Sequence, residues 1–157
     1  MSIIEGHLSA PNGEIVLVAA RFNELIVNPL IDGARDALVR HGLSAEKISV
    51  VRCPGSFELP LTCQQLASSG RYAGIVALGC VIRGATAHFE YVSSAATQGL
   101  LRVSMDTGVP VAFGVLTVEN LDQAFERAGS KAGNKGAEAA MALIEQIDLQ
   151  RQLAEIA

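Results

Sequence analysis

The sequence predicts an α/β protein, a three-layer α/β/α sandwich around a four-stranded parallel sheet with right-handed crossovers. Three observations carry this. Four short apolar runs, at 14–20, 48–52, 74–78 and 109–116, lack polar alternation, as strands covered on both faces do. Segments with apolar residues at helical spacing separate them. Half of the residues are hydrophobic but only 4% are aromatic, so the core is built from Val, Ile, Leu and Ala. At 157 residues the chain reads as one domain, 1–157, long enough for a core of its own.

Residues 1–10 form an N-terminal arm carrying Ile3, Ile4 and Leu8, set off by the turn signal Pro11-Asn12-Gly13. Two fates are open to it: fraying, or adding a strand to the sheet edge of a neighbouring subunit. It holds an acidic residue and no basic region, so it is not read as a signal peptide. The first strand, 14–20, runs into Arg21-Phe22-Asn23. Asn28 is expected to cap the first helix, with Pro29 at its first position and Gly42 at its end. Its buried stripe is Leu30, Ile31, Ala34, Ala37 and Leu38.

The second strand leads into Cys53-Pro54-Gly55-Ser56-Phe57-Glu58, and a helix follows from Pro60 to Gly70. Gly79 and Gly84 are expected to bracket the exit from the third strand. Thr86 then caps a helix to about Met105, with Phe89, Val92 and Ala96 on one face and His88 about one turn in. The fourth strand passes through Phe113-Gly114, and a short helix spans 121–128. Residues 129–136, GSKAGNKG, read as a break. The last helix uses Ala137, Ala140, Met141, Ile144 and Ile147 as its apolar face.

Composition excludes several classes. The net charge is −4 with no basic run, which argues against nucleic acid. No apolar stretch is long enough for a membrane span. The three cysteines, Cys53, Cys63 and Cys80, lack CxxC spacing and read as reduced thiols in a cytoplasmic protein. His7, His41 and His88 show no paired ligand spacing, so no metal is expected, and neither a Walker A motif nor GxGxxG is present.

The chemistry collects where parallel strands end. Phe22 follows the first strand, Ser56, Phe57 and Glu58 the second, and Arg83, Thr86 and His88 the third. Phe113 is expected in the carboxyl half of the fourth. Such ends share one edge of the sheet, where open α/β sheets bind ligands. Phe22 and Phe113 suit stacking on a flat ring, with core packing the ordinary alternative. The helix start at Thr86 offers free N–H groups to a phosphate or carboxylate, close to His88. Arg127 and Lys135 flank the glycine-rich stretch, and an arginine fork fits a phosphate dianion, although a solvated surface pair is the commoner arrangement.

Arg21-Phe22-Asn23, PGSFELP at 54–60, ALGCVIRGATAHFEYV at 77–92, PVAFGVLT at 110–117 and ERAGSKAGNKG at 126–136 together resemble the lumazine synthases of riboflavin biosynthesis. The resemblance covers nearly the whole chain. It implies a flavodoxin-like sheet and a condensation of 5-amino-6-(D-ribitylamino)uracil with 3,4-dihydroxy-2-butanone 4-phosphate, with no cofactor. By position in these motifs, Phe22 would stack on the pyrimidine, and Ser56, Phe57 and Glu58 would hold the ribityl chain. Main-chain groups of Val81 and Ile82, bordered by Cys80, would bind the pyrimidine edge. Ala85, Thr86 and Arg127 would hold the phosphate, His88 would transfer protons, Phe113 would complete the pocket, and Lys135 would sit near the phosphate end.

The same resemblance implies a pocket between subunits of a homopentamer, with Phe113, Arg127 and Lys135 supplied by the neighbour. An intact GSKAGNKG loop further implies a sixty-subunit shell of twelve pentamers, with a bare pentamer as the fallback and riboflavin synthase as a candidate partner inside. Ser56, Cys80 and Arg52-Cys53 depart from the commoner family residues without removing a catalytic group. The rival readings are a binding module that holds a flavin or lumazine, and a shell protein. His88 and Arg127 together favour the enzyme, because a binder needs no phosphate-elimination site.

Overall fold

β1 (Glu14–Ala20) lies between two other strands, and every residue after Glu14 is buried. That is why its sequence shows no alternation. The computed structural model describes residues 1–157. Its sheet also contains β2 (Ile48–Cys53), β3 (Tyr72–Ile82) and β4 (Val111–Val118), in the order β2-β1-β3-β4 with every pair parallel. Alternate strand residues face opposite layers. Ile15, Leu17, Val76 and Leu78 pack with α1 (Glu24–Arg40) and α5 (Lys135–Ile156), while Val16, Val18, Ile75 and Ala77 pack with α2 (Leu59–Ser68) and α3 (His88–Thr107). The predicted sandwich is therefore the observed one. No helix is long and apolar enough to cross a membrane.

Several expected boundaries move. Asn28 does not cap α1, and Pro29 lies inside that helix. The chain turns earlier, at Asn23, whose left-handed conformation (φ 60°) lets its carbonyl accept from Ile26 and Val27. Both of those aliphatic residues are almost fully buried. Their burial, roughly 1.5–3 kcal/mol each, outweighs the ~3 kcal/mol that an interior proline costs.

β3 does not end at Gly79 but continues to Ile82. A Cβ on Gly79 would stand 2.6 Å from Ser56 Oγ, so glycine there reflects a close approach within the strand. α3 begins at His88, so His88 is its first residue rather than one turn in. The position before it is Ala87, without a side-chain cap. β4 starts at Val111, and Phe113, paired with Ala77, lies in its amino half and away from the carboxyl rim.

After α4 (Leu121–Arg127), the expected break is a small antiparallel hairpin of β5 (Ala128–Ser130) and β6 (Gly133–Asn134). Asn134 caps α5 by accepting from the Ala137 N–H at 3.0 Å. The buried face of α5 includes Ala139 and Leu143, which the predicted stripe omitted. The arm at 1–10 forms no strand, yet it is tied down where fraying was one expectation. The His7 N–H donates to Asp148 at 2.8 Å, Gln152 donates to the Glu5 carbonyl at 2.7 Å, and Gly6 presses against the Glu145 backbone.

Candidate active site

The strand order reverses direction between β1 and β3, because β2 lies outside one and β4 outside the other. A crevice opens at the carboxyl ends of such a pair. Here β3 outruns β1. Their pairing stops at Ala19↔Leu78, so residues 79–82 are paired only on the β4 side. One group on that free edge is used by the protein, since Asn23 Nδ2 donates to the Cys80 carbonyl at 2.8 Å. Cys80 and Val81 are buried and Ile82 is half-buried, so this edge offers main chain rather than side chains to a ligand.

Past β1 the ladder continues, with the Arg21 N–H donating to the Cys53 carbonyl and the Phe22 N–H to the Pro54 carbonyl at 2.9 Å. Asn23 then turns the chain and leaves Phe22 61% exposed. Its ring lies across Gly55, where a Cβ would be 2.6 Å from Phe22 Cδ2. The Gly55 N–H in turn donates to Glu58 Oε2 at 3.0 Å. Ser56 is buried behind this turn and Phe57 is exposed. A cleft of about 400 Å³ joins Phe22, Ser56, Phe57 and Glu58 to His88, Tyr91 and Val92 of α3. Ala85 and Thr86 precede it on an exposed loop, where Thr86 Oγ1 accepts from the His88 N–H at 3.4 Å.

Arg127 and Lys135 lie elsewhere. With Phe113, Thr117 and Glu138 they line a second cleft of about 440 Å³ along the outer edge of β4. Arg127 closes α4, its Nη1 donating to the Gln123 carbonyl at 3.0 Å, and Lys135 opens α5 with its Nζ 2.9 Å from Glu138. The hairpin between them is turned by Gly129 (φ 111°) and Gly133 (φ 77°), values that favour glycine. A third hollow, between the end of α3 and α5, is lined by Ser104, Met105 and Gln146 among others and contains no titratable residue.

Apart from Cys80, Val81 and Ile82 on the β3 overhang and Ala85 and Thr86 on the loop after it, the candidate residues fall into two groups. Phe22, Ser56, Phe57, Glu58 and His88 share one cleft, and Phe113, Arg127 and Lys135 share another. Nucleophilic sulfur is absent from both. Burial pushes the Cys80 thiol up to about 11 and the Cys63 thiol up to about 12, and Cys53 is raised for the same reason. Sequence reasoning overlooked Gly55, Tyr91 and Glu138. Tyr91 was within reach, because it follows His88 at the spacing that shares a helix face, as Glu138 follows Lys135.

The profile of the family described as 6,7-dimethyl-8-ribityllumazine synthase matches residues 12–151. The 6,7-dimethyl-8-ribityllumazine synthase of Nitratidesulfovibrio vulgaris (strain DSM 19637 / Miyazaki F) is 53% identical over 150 residues, covering 96% of each chain. That of Halorhodospira halophila (strain DSM 244 / SL1) is 55% identical over 154 residues, covering 98% of this chain and 99% of the relative.

Proposed function

The chain belongs to the 6,7-dimethyl-8-ribityllumazine synthase family, and on that premise we propose how its residues divide the work. It is the enzyme that condenses 5-amino-6-(D-ribitylamino)uracil with 3,4-dihydroxy-2-butanone 4-phosphate. The products are 6,7-dimethyl-8-ribityllumazine, phosphate and water, in the penultimate step of riboflavin biosynthesis.

Phe22 stacks on the pyrimidine ring, while main-chain groups of the β3 overhang at Val81 and Ile82, bordered by Cys80, bind its edge. Ser56, Phe57 and Glu58 hold the ribityl chain, and Phe113 closes the pocket. Ala85, Thr86 and Arg127 take the phosphate, with Lys135 beside them. The uracil amine attacks the ketone to give an imine and water. Phosphate then leaves, the ribitylamino nitrogen closes the ring, and a second water is lost. His88 gives and takes the protons of these steps, a contribution of typically ~10²–10⁴-fold. Holding both substrates in register supplies much of the rest.

One observation carries this reading: the ring-binding cleft with His88 and the cationic cleft with Arg127 and Lys135 are separate surfaces of one chain. Each is half of a site. Head-to-tail association makes the cationic cleft of one copy face the His88 cleft of the next, and such contacts close into rings. The ring is a pentamer. Twelve pentamers form a sixty-subunit shell in which riboflavin synthase is a fitting guest, and the N-terminal arm, while held on its own α5 through Glu5 and His7, pairs as a strand with the neighbouring sheet. The protein works in the cytoplasm.

The test mixes both substrates with purified protein and follows lumazine absorbance, with sedimentation of the same sample. Turnover confined to pentamers and larger species is expected. A fully active monomer would refute the shared pocket.

A further inference from the structure

We infer that Arg83 is a positioning residue for this reaction, its guanidinium clamping the 84–87 loop and the first turn of α3 so that His88, Ala85 and Thr86 hold one geometry. The inference rests on the roles proposed above. The Arg83 N–H donates to the Val118 carbonyl at 2.9 Å, extending the β3–β4 ladder by one residue and fixing its backbone to the sheet. Its side chain pairs through Nη1 with Glu90 in the first turn of α3, and through Nε with Glu119 after β4 at 2.8 Å. The guanidinium carbon also lies 4.3 Å from the centre of the Phe89 ring, which packs against the α2–α3 side of the core. One cation therefore joins three elements.

Within a single chain little else holds the loop. Residues 84–88 are all exposed, and Gly84 has no atom within 4 Å of where a Cβ would sit. α3 lacks a side-chain cap at Ala87, and the side-chain bond at its start is the long one from the His88 N–H to Thr86 Oγ1 at 3.4 Å, so this helix end is weakly held. Single exposed ion pairs stabilise little. A fork shared by two carboxylates instead restricts geometry, and Arg83 keeps the Glu90 carboxyl below its usual range. The alternative role, Arg83 as a direct phosphate ligand, fits poorly. Its Nε and Nη1 are already engaged, and one positive charge beside two carboxylates leaves the cluster net negative.

The experiment compares wild type, Glu90→Gln and Arg83→Lys by amide hydrogen exchange over 84–90 and by steady-state kinetics. Glu90→Gln is expected to speed exchange there and lower kcat about tenfold, since small misplacements of reacting groups are costly. KM for the pyrimidine and the thermal midpoint should stay put. Arg83→Lys, which keeps the charge but not the fork, should fall between. Unchanged exchange would overturn the clamp. A Glu90→Gln variant that binds the phosphate substrate more tightly would overturn it in favour of direct ligation. A wild-type protein with no lumazine formation would instead sink the catalytic reading, leaving exchange to judge the clamp.

Discussion

Phe22 owes its place to a residue without a side chain. Gly55→Ala would set a methyl 2.6 Å from the ring, while the extended Gly55 backbone (φ −148°) accepts alanine without strain. We predict a rise of about tenfold in KM for the pyrimidine, the upper end of what ring stacking contributes, with unfolding little changed. His88→Ala should lower kcat about 10²-fold and not abolish it, because positioning survives the loss of a proton carrier. Full turnover by that variant at saturating substrates would remove the proton role. His88 and Phe22 were legible in the sequence because both follow strand ends. Gly55 and the left-handed Asn23 were not, since their importance depends on which ring and which carbonyl lie opposite.

At the scale of elements, α1 and α5 meet almost backbone to backbone. A Cβ on Gly136 would stand 2.1 Å from the Leu30 carbonyl oxygen, and Asn134 Nδ2 donates to the Pro29 carbonyl at 2.9 Å. Gly136→Ala should destabilise by roughly 1–3 kcal/mol through overpacking, more than alanine's helix preference of about 1 kcal/mol restores; urea denaturation would measure it. The arm on α5 gives a second prediction. The His7 N–H, then Arg151 and Gln152, hold the Asp148 carboxyl well below its usual range. A carboxyl depressed on folding stabilises above its unfolded value and loses that contribution as acid protonates it. The arm should therefore stay docked above the ordinary aspartate value of 3.8 and loosen progressively below it. Asp148→Asn should loosen it at neutral pH, read as faster exchange over residues 1–9; unchanged exchange would refute the tether. Strand and helix order were readable from the apolar runs, whereas the start of α1 was not, because an Asn-Pro capping signal competed with the burial of Ile26 and Val27.

For the molecule as a whole, the separation of the two clefts makes a prediction about mixtures. Copies carrying His88→Ala and copies carrying Arg127→Ala should each be poor catalysts alone. Co-expressed in equal amounts, they should regain about a quarter of wild-type activity, because in a head-to-tail ring that share of junctions pairs two sound surfaces. No recovery in verified mixed rings would place both residues in one copy's pocket. The parallel sheet was legible from the apolar runs. The separation of the two clefts was not legible from spacing, since which cleft Phe113 joins depends on the pairing of β4 across the sheet. The thiols carry a practical consequence. Cys53, Cys63 and Cys80 are all buried, so the outer surface is silent towards maleimide dyes. A single cysteine introduced on the exposed last turn of α5 would then accept one fluorophore per copy, and energy transfer between labelled copies would follow assembly with the native sulfurs left in place.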